Sequence, residues 1–234
     1  MNRVDRSARG VALLLLGAVL AIPASAQEPD TRPGIAVMPF ANYYVGSDAA
    51  DFDGLEGGLQ QMMLTELAQN SSLRIVERSA LAAIMEEQNL SASGRVEADA
   101  AVRVGALVGA KYMILGSYND IFGDVRIDAR VVDVETSEIV RTEQVRDQRE
   151  NIYQLLVDLS SQVVAGVDLP PLPAEVREAR RSREIPSEAV TLYSRAQLYA
   201  DGGQTARAIQ LYRQITEQFP DLTEAREALR QLGG

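Results

Sequence analysis

Gly34-Ile35-Ala36-Val37-Met38-Pro39-Phe40 is a short apolar run closed by proline, and the residues after it change rhythm: Leu55, Leu59, Met62, Met63 and Leu67 fall on one face of a helix. A strand without polar alternation is buried on both faces, as in a sheet covered by helices. Residues 73–77 repeat the strand signal, 79–89 and 97–108 read as helices, and 111–118 as a third strand. Strands separated by helices pair in parallel through right-handed crossovers. The period then shortens to two. Val125, Ile127, Ala129 and Val131 alternate with Arg126, Asp128 and Arg130, the mark of a strand with one wet face. The turn Glu135-Thr136-Ser137-Glu138 leads into 139–145, which alternates again, so these two strands form an antiparallel hairpin. Ile152, Leu155, Leu156, Leu159 and Val163 line one face of a closing helix. The expected fold class is α/β, a mixed β-sheet with flanking helices, followed by a small all-α unit.

The chain has neither cysteine nor histidine. Disulfides, thiolate metal sites and cysteine nucleophiles are therefore excluded, and the commonest general base and metal ligand is missing. With 33 acidic against 23 basic residues, the surface should repel phosphate backbones, so no nucleic-acid partner is expected. Asp48, Asp51 and Asp53-Gly54 begin like a calcium loop, but Met62 stands where a bidentate Glu is needed. Lys111, the only lysine, opens a strand, a structural place rather than that of a Ser–Lys dyad. No catalytic residue, cofactor site or metal site is expected, and the protein reads as a non-enzyme.

Arg3, Arg6 and Arg9 precede an apolar stretch from 11 to 22, which Pro23 interrupts before Ala24-Ser25-Ala26. This is the pattern of a cleaved secretory signal, residues 1–26, with the mature chain starting at Gln27. The stretch falls short of the roughly 20 residues that a spanning helix needs. A lipoprotein would begin with cysteine, and this chain offers Gln27. The expectation is a periplasmic protein with no transmembrane segment after signal cleavage.

Residues 27–168 carry 23 acidic and 11 basic side chains, a net of −12, whereas 169–234 carry nine of each. The charge break coincides with Leu169-Pro170-Pro171-Leu172-Pro173, a stretch that favours a semi-rigid extended spacer. Residues 27–168 are thus expected as an α/β domain, 169–186 as a Pro/Arg-rich linker and 187–234 as a helical domain. In the linker, Arg177, Arg180, Arg181 and Arg183 read as a solvated face, with lipid headgroups or the acidic first domain as the other possible contacts. Helices are expected at 189–200, 205–218 and 223–232. Ala196, Tyr199, Gly203, Ala208, Tyr212 and Pro220 resemble a single tetratricopeptide repeat, with Leu192 and Arg195 departing from its pattern. One repeat cannot bury a continuous core, so it should dock on the first domain, self-associate or bind a partner. The resemblance implies that Tyr193 and Gln197 face the concave side, and they are the candidate protein-binding residues.

The run from Val76-Glu77-Arg78 through Glu86-Glu87-Gln88-Asn89-Leu90, then residues 104–118 with Gly105, Gly109 and Gly116, then Arg130-Val131-Val132-Asp133-Val134, resembles the CsgG family. That family includes the curli secretion component and its holdfast-anchoring relatives; the TolB N-terminal domain and the LpoB-type activators of cell-wall synthases are similar in fold. The resemblance covers roughly residues 34–166. It implies an accessory factor in assembly, export or regulation of an envelope structure, with envelope protein partners and self-association through this domain. The alternative it implies is a ring subunit of a curli-type outer-membrane secretion complex. Against that stand the short connection at 119–124, which leaves no room for barrel strands of about 9–11 residues, and the missing lipidated cysteine. Ser137 stands where the family usually has Gly.

Overall fold

The computed structural model describes residues 30–43, 54–90, 97–167, 169 and 171–233. The expected signal segment 1–26 and the triad Asp48, Asp51 and Asp53 lie outside the described residues. Strand β1 (Gly34–Val37) is followed by a two-residue β2 (Ala41–Asn42), α1 (Leu55–Leu67), a two-residue β3 (Arg74–Ile75), α2 (Arg78–Glu87) and α3 (Ala98–Leu107). Three ten-residue strands come next, β4 (Tyr112–Ile121), β5 (Asp124–Asp133) and β6 (Ile139–Gln148). A 3-10 turn at 149–151 opens α4 (Ile152–Ala165), and four more helices follow: α5 (Ala174–Arg181), α6 (Ser187–Asp201), α7 (Thr205–Gln218) and α8 (Thr223–Gln231).

The sheet order is β3-β1-β4-β5-β6, with β2 also on β4. β1 pairs in parallel with β3 and with β4, whereas β4–β5 and β5–β6 are antiparallel. The mixed sheet therefore follows the sequence: strands separated by helices are parallel, and strands joined by tight turns are antiparallel. The β4–β5 turn consists of Phe122 and Gly123, both at positive φ, as a two-residue hairpin requires. Ser137 also has φ 61°, so the position where the resembled family carries glycine does demand left-handed backbone.

Two cores flank the sheet. On one face Ala36, Met38, Met113, Leu115 and Val132 pack under α2 and α3 with Leu81, Met85 and Val104. On the other, Ile35, Ile114, Ile127, Ala129 and Val131 meet α1 and α4, and the same cluster runs on through Ile185, Val190, Tyr193, Tyr212 and Ile215 into the C-terminal helices. Residues from Thr31 to Gly234 form one compact unit. The change of charge at 169 is thus not a change of core. α1 packs tightly against α6. A Cβ placed on Gly58 would come within 1.8 Å of Ser194 Oγ and 2.8 Å of its Cα, so only glycine lets these helices meet.

Candidate functional site: a closed ionic junction and an open sheet face

Tyr193 and Gln197 lie on the face of α6 that turns inward. Tyr193 is 2% exposed, with its ring 5.7 Å from that of Tyr212, and Gln197 is 9% exposed. The Tyr212 hydroxyl donates to Gln197 Oε1 at 3.1 Å, and Gln197 Nε2 donates to Asp201 Oδ1 at 3.1 Å. Asp201 in turn accepts from Arg78 Nη1 of α2 at 2.6 Å. Both residues are buried rather than presented to solvent, packed with Tyr212 of α7. Only their edges reach a polar groove bordered by Gln61, Arg78, Thr223 and Arg230.

The arginines of 177–183 are also placed differently from a solvated face. Arg180 Nε donates to Glu66 Oε2 of α1 at 2.9 Å and its Nη2 to Glu224 Oε1 of α8 at 2.8 Å. Arg183 donates to both oxygens of Glu224 at 2.8 Å and to the Tyr153 hydroxyl at 2.7 Å, with its guanidinium 5.1 Å from the centre of the Tyr153 ring. Tyr153 donates to Glu66 Oε1 at 3.1 Å. Glu66 and Glu224 are buried, as is Tyr153. Two carboxylates and two guanidiniums thus close a neutral network that ties α1, α4, α8 and the 174–183 segment together. Arg181 pairs with Asp158 of α4 at 2.9 Å. A segment that reads as a linker is a clasp: its arginines neutralise carboxylates that would otherwise be buried and alone.

The junction and the neighbouring Tyr193–Tyr212 pair hold strongly displaced protonation equilibria. Burial by itself would raise the Glu224 carboxyl, but the hydrogen bond and charge of Arg183, with Arg180 behind it, hold it down at about 2. Burial, reinforced by the Glu66 charge, pushes the Tyr153 hydroxyl up. Burial pushes Tyr193 and Tyr212 up as well. These shifts lock groups in their resting forms, the opposite of what proton transfer at neutral pH needs. Among the described residues there is no group of three or more acidic side chains placed to hold a metal ion.

The open surface lies elsewhere. α2 and α3 cover one face of the sheet over β1, β4 and the Val132 end of β5, leaving the polar side of β6 and the rest of β5 open. A groove of about 620 Å³ there is lined by Tyr43, Ser117, Arg126, Asp128, Arg130 and Thr142. Arg126 Nε grips Asp128 at 2.9 and 3.0 Å, and Arg146 grips Asp124 at 2.6 and 2.7 Å. Such rows of paired, fixed charges suit recognition of another macromolecule rather than chemistry. The sequence signal was there, in the polar phase of the 125–131 alternation. A second groove, of about 830 Å³ and more apolar, lies between α1, α2 and the end of α6, lined by Pro39, Leu81, Met85, Leu90 and Leu198.

Residues 18–120 match the model of the family described as curli production assembly/transport component CsgG. No curated protein matches the chain. Among solved structures, the LpoB C-terminal domain from Escherichia coli is similar at 18% identity and a TM-score of 0.42, over 50% of this chain and 83% of that one. TolB from Acinetobacter baumannii is similar at 18% identity and 0.42, over 62% of this chain and 31% of TolB. The PelC dodecamer from Paraburkholderia phytofirmans is similar at 18% identity and 0.34, over 59% and 90%. Among the described residues, no helix is long and apolar enough to cross a membrane.

Proposed function

We propose that this protein is a non-enzymatic periplasmic accessory factor that binds protein partners during assembly, export or regulation of a cell-envelope structure. The observation that carries this reading is the division of the surface. The strongly displaced titratable groups are enclosed where helices meet, while the open β5–β6 face offers paired charges to a partner. The match to the curli assembly/transport family and the signal-like N-terminus support the compartment. Buried Tyr193 and Gln197 serve the packing of α6, and partner binding belongs to the open sheet face.

The same family match favours a second reading, a ring subunit of a curli-type outer-membrane secretion complex. The two-residue turn between β4 and β5 supports the first. One preparation separates the readings. The exported protein should fractionate with soluble periplasm, show an intact mass beginning at Gln27, and leave planar bilayers non-conducting. Recovery only from detergent-extracted membranes, with steady single-channel conductance, would replace the accessory factor by the pore.

A further inference from the structure

β6 ends the sheet, and among the described residues no strand pairs with its outer edge. Such an edge presents a row of backbone donors and acceptors ready to accept another strand. Proteins usually blunt an edge of this kind with charges or a bulge, and β6 has both: Arg141, Glu143, Arg146 and Asp147, and an irregularity where Val132 meets Ile139. It also keeps Ile139 and Val140 in solvent, 47% and 43% exposed. The charges of the strand sum to zero within a stretch, 27–168, that carries −12. The edge therefore adds no net charge of its own to the repulsion between two acidic copies.

The order of those charges is self-complementary in two antiparallel registers, of which one also uses the pair that forms within the strand. With the helices of both copies on the same side of a continuous sheet, the two-fold axis passes through a single residue. An axis at Arg141 or Arg146 stacks like charges, and one at Glu143 does the same. An axis at Val145 sets Glu143 against Asp147, and one at Gln144 sets Arg141 opposite Asp147 but leaves Glu143 facing Val145 and Arg146 facing Thr142. An axis at Thr142 sets Arg141 opposite Glu143 twice. Opposite charges facing across a strand pair stabilise it, and like charges oppose it. Arg141 and Glu143 already lie on one face and pair within the strand, so their heads are positioned for an exchange of partners. We infer that β6 is a homodimerisation edge, pairing antiparallel with β6 of a second copy about Thr142 to extend the sheet across a two-fold axis. A two-fold pairing of this kind closes on itself and builds a dimer, not a ring or fibre. It does not depend on the envelope role.

Charge reversal tests it. The chain lacking residues 1–26, studied by sedimentation over a concentration series, should show a monomer–dimer equilibrium. Arg141→Glu and Glu143→Arg should each abolish the dimer, and thermal melts should show both variants folded. An equimolar mixture of the two variants should dimerise again, as a heterodimer, with the dissociation constant at least tenfold below that of either variant alone. Because neither variant regains the pair within its own strand on mixing, recovery reports contacts between copies. A wild-type monomer at all concentrations, single variants that dimerise like the wild type, or failure of the mixture to associate would each overturn the inference.

Discussion

Glu224 shows how one side chain can tie this molecule together. Its carboxylate receives Arg180 and Arg183 from the 174–183 segment, and it projects from α8, the last helix. An isolated carboxyl of this type titrates near 4.5, and in the fold it titrates at about 2. A lowered folded-state value means that the stabilisation is complete above about pH 4.5 and is lost as pH falls through about 2. The shift corresponds to on the order of 3 kcal/mol. Denaturant unfolding followed between pH 5 and 2 should show this loss, and Glu224→Gln should remove its contribution to the slope. At pH 7 the same substitution should cost about 3 kcal/mol, since breaking a buried pair leaves its partners uncompensated. An unchanged pH slope in Glu224→Gln would show that the carboxylate is not part of the clasp.

The elements were unevenly legible. Period 3.6 at 55–67 and 152–163 and period 2 at 125–131 marked two helices and the hairpin, because burial on one face writes itself into spacing; the strand order β3-β1-β4-β5-β6 is set by packing between elements. Two-residue β2 is too short to carry a period, whereas β3 lies inside the strand expected at 73–77. Helix α5 was read as linker because Ala174–Arg181 has no buried residue to mark a face; what holds it is charge, through Arg180 and Arg181. For the same reason Tyr193 and Gln197 were read as exposed: a pattern of small and aromatic residues says that a face packs, but not against which partner. The partner of Tyr193 and Gln197 is Tyr212 of α7, while the neighbouring Ser194 meets α1, whose two glycines separate fit from propensity. Gly58→Ala should destabilise the protein by about 2–4 kcal/mol, because a methyl group there meets Ser194 at 1.8 Å. Gly57→Ala, one residue away and with its nearest neighbours at 3.7 and 3.8 Å, should stabilise α1 by up to about 1 kcal/mol. Thermal melts of the two variants moving in the same direction would contradict the docking of α6 on α1.

At the scale of the whole molecule, the domain boundary expected at the proline stretch separates two charge regimes, while one hydrophobic core passes beneath it from Ile35 to Ile215. Residues 187–234 alone should therefore show no cooperative melt, since three helices of one repeat lack a sufficient core. Residues 27–168 alone should melt well below the full chain, with Glu66 and Tyr153 left without Arg180 and Arg183. A fragment as stable as the whole would separate the two parts. Function, on the reading developed above, depends on this rigid body presenting β5 and β6 to a partner. The most direct measurement places a photo-crosslinking amino acid at position 130 on the open face, or at 193 inside the junction, in cells. Position 130 should give discrete adducts with envelope proteins while 193 gives only cross-links within the chain. Adducts to other proteins from 193 and none from 130 would contradict it.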